Sequence, residues 1–147
     1  MRSIKRLLIV AGTIAALTAL APVASAGSPL GDIHLQKICP TFETTATCMV
    51  IIADAGPLPV GTVAAYSGPL FAPVFSTAVV LTTPNGDTAT GHCTLIWRPE
   101  LSGADGFGTC VFVSGTGALA GFHANLTITD HPDTLVTNWD GTYWFGN

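Results

Sequence analysis

Beyond residue 26, glycine or proline interrupts this chain every several residues, and no stretch sustains an apolar repeat of 3.6 residues. Such punctuation leaves no room for long helices and asks instead for short strands joined by tight turns. Threonine and valine are abundant and charged residues make up only 10% of the chain, which fits half-buried strands. The expected class is therefore all-β.

Individual segments follow from alternation and turn chemistry. Residues 27–36 read as a loose lead-in, and 47–53 (TCMVIIA) as a first core strand. Four prolines in 56–73 argue against a central paired strand there, except for a short one near 63–66. Residues 74–83 (VFSTAVVLTT) and 88–97 read as two arms of a hairpin. Between them Asn85-Gly86 predicts a type I′ turn, which needs two positive φ angles. Residues 98–106 form a polar turn, 107–113 a strand, and Ser114 to Gly117 a turn or bulge. In 122–129, Phe122, Ala124, Leu126 and Ile128 face one way, while His123, Asn125, Thr127 and Thr129 face the other. Residues 130–133 turn the chain and 134–145 close it. Successive hairpins at this spacing predict a small antiparallel β-barrel, with a β-sandwich as the alternative.

Residues 1–26 carry an address. Arg2, Lys5 and Arg6 precede an uncharged apolar run over 7–21, and Ala24-Ser25-Ala26 supplies small residues for a signal peptidase. The run is shorter than the roughly 20 residues that span a bilayer. The expectation is a secretory signal peptide over 1–26, a single all-β domain over 27–147, a secreted location and no membrane span after cleavage. In 27–147 two basic side chains, Lys37 and Arg98, stand against nine acids, a net charge of −7. Nucleic acid and anionic lipid are poor partners for such a surface.

Cys39, Cys48, Cys93 and Cys110 all lie in the exported part. An even count in an oxidising compartment predicts two disulfides, with three possible pairings. Nearness along the chain favours Cys39–Cys48 and Cys93–Cys110, each stapling neighbouring segments. No C-x-x-C or H-x-x-x-H spacing supports a zinc site.

The stretch GFGTCVFVSGTGALAG over 106–121, followed by Trp139-Asp140-Gly141-Thr142-Tyr143, resembles the glycine-patterned strands of allene oxide cyclase barrels and plant dirigent proteins. The resemblance covers the last third of the chain. It implies an eight-stranded antiparallel barrel, often oligomeric, whose relatives bind or steer small apolar molecules. No catalytic residue of that family is matched here.

Candidate chemistry is sparse. His34 falls in the lead-in, His131 in a turn, and His92 opposite in direction to Cys93. His123 and Asn125 share the polar face of one strand. Lining a barrel interior, they would contact a ligand or act as acid and base; facing solvent, the usual case, they are ordinary surface. They are the candidate ligand-binding residues. Ser114 lacks the G-x-S-x-G of a nucleophile elbow. Asp87, Asp105, Asp130 and Asp133 fall in predicted turns, where turn chemistry accounts for them. Asp130, His131 and Asp133 as a metal set is the weaker reading of that turn. Asp140 on a strand, then Glu100 beside Arg98, are the acids least explained by turns. Trp97, Trp139 and Trp144 would make a carbohydrate-stacking platform if exposed, but at strand positions aromatics are more often core. Asn125-Leu126-Thr127 fits a glycosylation acceptor.

The expected function is thus a non-enzymatic binding or interaction module, engaging a small apolar ligand or a cell-surface component. A cyclase- or isomerase-like enzyme with a barrel cavity and a structural envelope-associated protein are the alternatives. No catalytic set, metal or cofactor is expected.

Overall fold

A computed structural model describes residues 30–40, 46–68, 70, 74–97 and 106–146. Eight strands form it: β1 (Gly31–Ile38), β2 (Thr47–Ala55), β3 (Val63–Tyr66), β4 (Val74–Thr82), β5 (Thr88–Trp97), β6 (Gly106–Gly115), β7 (Phe122–His131) and β8 (Val136–Phe145). Each pairs antiparallel with the next, and β8 returns to β1, so the sheet closes into a barrel in chain order. The closed barrel replaces the sandwich alternative. In this closed order every described strand lies between two neighbours, the arrangement by which barrels protect strand edges.

Two readings of the sequence are corrected here. The lead-in expected over 27–36 is in large part β1, which pairs with both β2 and β8 and thereby closes the barrel. Its alternation is Ile33, Leu35, Lys37, and the lysine at the third inward position hides the pattern. The hairpin between β4 and β5 forms, but with a different turn. Gly86 N–H donates to Thr83 O, Thr83 N–H donates to Asp87 O, and Gly86 alone there has positive φ. The loop is the three-residue form in which a β-turn is followed by one left-handed residue. Pro84, whose fixed negative φ suits the turn's first central position, selects it.

Inward side chains fill the barrel. Its middle is packed with Trp139, Phe112, Leu126, Leu35 and Val79, all buried. One end is closed by Leu58, Leu81, Leu119 and Phe122. Gly141 occupies an inward position of β8; a β-carbon there would run into the Asn125 carbonyl and Leu126 Cα of β7. The glycine lets these strands curve tightly enough to close.

The cysteines pair as Cys39–Cys48 and Cys93–Cys110, with Cα–Cα separations of 4.3 and 4.1 Å. The first ties the end of β1 to the start of β2. Cys93 and Cys110 sit directly opposite in the β5–β6 ladder and face the interior. The polar turn expected over 98–106 lies, but for Gly106, outside the described residues, as do the proposed signal peptide, Glu100, Arg98 and Asp105.

Candidate functional site at the polar mouth of the barrel

The end opposite Leu58 and Leu119 is built differently. Lys37, Thr137, Asp130, Gly106 and Trp97 form one cross-strand row over β1, β8, β7, β6 and β5. Strand periodicity points all five inward. Lys37 continues Ile33 and Leu35, and Asp130 continues Phe122, Ala124, Leu126 and Ile128. Asp130 is therefore a strand residue, which corrects its assignment to a turn. Lys37 is only 3% exposed and Asp130 2%. Among the described residues Lys37 is the sole lysine or arginine.

The Lys37 ammonium position lies 5.2 Å from the centre of the Tyr66 ring and 5.1 Å from that of Trp139. Nζ also donates to Cys39 Sγ at 3.2 Å. Aromatic faces attract a cation, but they replace only part of the water it has lost. Burial accordingly lowers the Lys37 pKa to about 7, against a smaller opposing pull from the Asp130 charge. Burial raises the Asp130 carboxyl, with a hydrogen bond from Thr137 Oγ1 at 2.6 Å and the charge of Lys37 acting the other way. The Tyr66 phenol is pushed up by burial and further by Asp130. An amine, a carboxyl and a phenol thus share one desolvated end of the barrel.

Around them stand Leu70, Phe75, Leu95, Trp97 and Ile128. The free space they enclose is about 20 Å³, the size of roughly one water molecule. Trp97 Nε1–H donates to the Leu70 carbonyl at 2.8 Å, fastening the end of β5 to the segment before β4. Gly106 leaves room beside Asp130, because a β-carbon there would press on Asp130 Cβ and Leu95 Cδ2.

The residues singled out in sequence lie elsewhere. His123 and Asn125 share a face, as expected, and that face is the outer wall. His123 stacks on Trp144, with ring centres 5.2 Å apart. Asn125 lines an open surface groove of about 490 Å³ with Thr109, Val111, Thr127, Asp140 and Thr142. His34, placed by β1 rather than by a loose lead-in, contacts Asp140 through Nδ1 and lies 3.8 Å from Asp54 Oδ2 through Nε2. His92 bonds Ser76, and Ser114 bonds Thr90. Asp130 points inward while Asp133 is exposed, so these two and His131 do not converge on a metal. The tryptophans occupy three settings: core for Trp139, barrel mouth for Trp97, outer wall for Trp144. They form no common platform.

The sequence reading gives Lys37 only as a basic side chain and Asp130 only as a turn acid, and does not single out Tyr66 or Thr137. A usable signal was present for the first and second, since each extends an apolar alternation by one step of two. Tyr66 and Thr137 carry no comparable mark, because their role depends on which strands meet. Comparison with protein-family models, curated proteins and solved structures finds no match to this chain.

Proposed function

We propose that this protein is an exported, non-enzymatic binding module that takes a small, largely apolar ligand at the polar mouth of its barrel. One observation carries the reading: Lys37 and Asp130 are buried in a row above an otherwise apolar interior. The fold does not require them, because the opposite end closes with Leu58, Leu81, Leu119 and Phe122. Apolar walls with a few convergent polar groups and shifted pKa values are the usual make-up of a small-molecule site, and barrel mouths are a common place for one.

Further observations agree with this reading. The paired cysteines suit an oxidising compartment. Apolar side chains fill the interior, while the outer wall mixes His34, Asp54, His92, Asn125 and Asp140 with exposed apolar residues such as Ile51, Phe107 and Val113. The likeness to allene oxide cyclase and dirigent barrels points to the same ligand class. A cyclase-type cavity would need the middle of the barrel, where Trp139, Phe112 and Leu126 are packed.

A second reading rests on the outer groove at Asn125, flanked by the His123–Trp144 stack, as an interaction surface. Titrating the protein with propan-1-ol while recording ¹H–¹⁵N NMR spectra separates the two. Shifts clustered at Lys37, Tyr66, Leu70, Trp97 and Asp130 are expected. Shifts confined to the Asn125 wall, or none, would remove the mouth from consideration.

A further inference from the structure

Resting on that reading of the mouth, we propose that Lys37 is a covalent capture site for small aldehydes, which it holds as an imine at Nζ. The geometry comes first. Lys37 is one of two lysines in the chain and is enclosed in the barrel. Its amine sits between the Tyr66 and Trp139 rings, with Asp130 on the second strand over and held by Thr137. A lysine placed merely to solubilise the surface would not be here. The free volume as the barrel stands, about 20 Å³, holds roughly one water molecule, so a short aldehyde enters only as side chains at the mouth give way, and bulky electrophiles are excluded.

The chemistry follows from the setting. An ordinary lysine is protonated near neutrality and has no free lone pair, whereas a desolvated one does. The Nζ lone pair adds to the carbonyl carbon; the C=O π pair moves to oxygen, which takes a proton, giving a carbinolamine. The carbinolamine oxygen then accepts a second proton and departs as water while the nitrogen lone pair forms C=N. Nitrogen gives up both of its protons, so aldehyde and amine become imine and water with no oxidant or reductant. Asp130, which lines the same space and whose carboxyl is easier to protonate because it is buried, is the acid that would supply and recover the proton, through an intervening water rather than by direct contact. The Tyr66 phenol, the other titratable group facing this space, stays protonated. When the imine is protonated, the aromatic faces that flank Nζ stabilise its cation.

The test uses the intact oxidised protein with propanal and sodium cyanoborohydride at pH 7, with Nα-acetyl-lysine in the same tube as reference. Peptide mass mapping then locates the propyl groups. Lys37 is expected to be alkylated at least about 30-fold faster than the reference, since its neutral fraction is far larger at that pH. In Asp130→Asn, with an unchanged circular dichroism spectrum, the Lys37 rate is expected to fall several-fold. Alkylation of Lys37 only after unfolding, or at the reference rate, would overturn the proposal. Propan-1-ol binding at the mouth without a Lys37 adduct would overturn the imine alone and leave the mouth a non-covalent site. Absence of both would end both readings.

Discussion

At the scale of single residues, the question is why an amine lies where an alkyl chain would pack more cheaply. Removing one charge from water costs several kcal/mol even after relaxation, roughly, and a distant carboxylate returns only part of it. The consequence is a pH dependence of stability with a definite sign. Folded Lys37 releases its proton near pH 7, whereas the unfolded chain keeps it to about 10.5. Between those values the unfolded state binds more protons, so stability rises with pH. From pH 7.5 to 9 the unfolding free energy is expected to increase by about 1–2 kcal/mol in urea melts, given 1.36 kcal/mol per unit of full proton difference. In Lys37→Met that rise is expected to vanish. A wild-type profile that is flat or falling over this range would show the amine to be solvated. The residues behind this effect were partly legible. Lys37 and Asp130 each stand at the next inward position of an apolar alternation, but a charge there argues for solvent by composition alone. Only strand pairing, which aligns Lys37, Thr137 and Asp130, tells the buried charge from a surface one.

At the scale of elements, alternation and turn chemistry carried most of the structure. Residues 88–97 are β5 in full, and 47–53, 63–66, 74–83, 107–113, 122–129 and 134–145 each contain or overlap an observed strand. β1 is masked in the sequence because its inward set ends in a lysine and because it begins with Gly31-Asp32, residues typical of turns. The turn after β4 falls where Asn85-Gly86 predicts it but takes another type, because Pro84 favours a β-turn with Gly86 as the one left-handed residue. His123 and Asn125 illustrate the complementary limit. Their common face was readable, but alternation does not say which side of a sheet is inside; the apolar set with Phe122 and Leu126 takes that side. Closure depends on features that alternation cannot show. Gly141→Ala would place a methyl against the Asn125 carbonyl and the Leu126 backbone, neither of which is a flexible side-chain end. The expected cost is about 2–4 kcal/mol, in the range of other overpacking or strain effects. A urea midpoint within error of the parent would mean that β7 and β8 have slack at this point.

For the whole molecule, the contrast between the two barrel ends is the central feature. Both disulfides have a cysteine near the polar end: Cys39–Cys48 joins strands there, and Cys93 lines the same space as Lys37. Closing the 17-residue Cys93–Cys110 separation restricts the unfolded chain by about 3 kcal/mol on the loop-entropy account. The staples thus favour a closed barrel whose mouth holds an amine, a carboxyl and a phenol away from water. Only the intact, packed barrel can do that, so the ionisation of one nitrogen reports on the entire arrangement. With lysine side chains labelled with ¹³C and ¹⁵N, NMR titration of Lys37 Cε and Nζ measures it directly. The account predicts a midpoint near pH 7, moving back toward the ordinary lysine value once the disulfides are reduced and the chain unfolded. A midpoint above pH 10 in the folded, oxidised protein would contradict it.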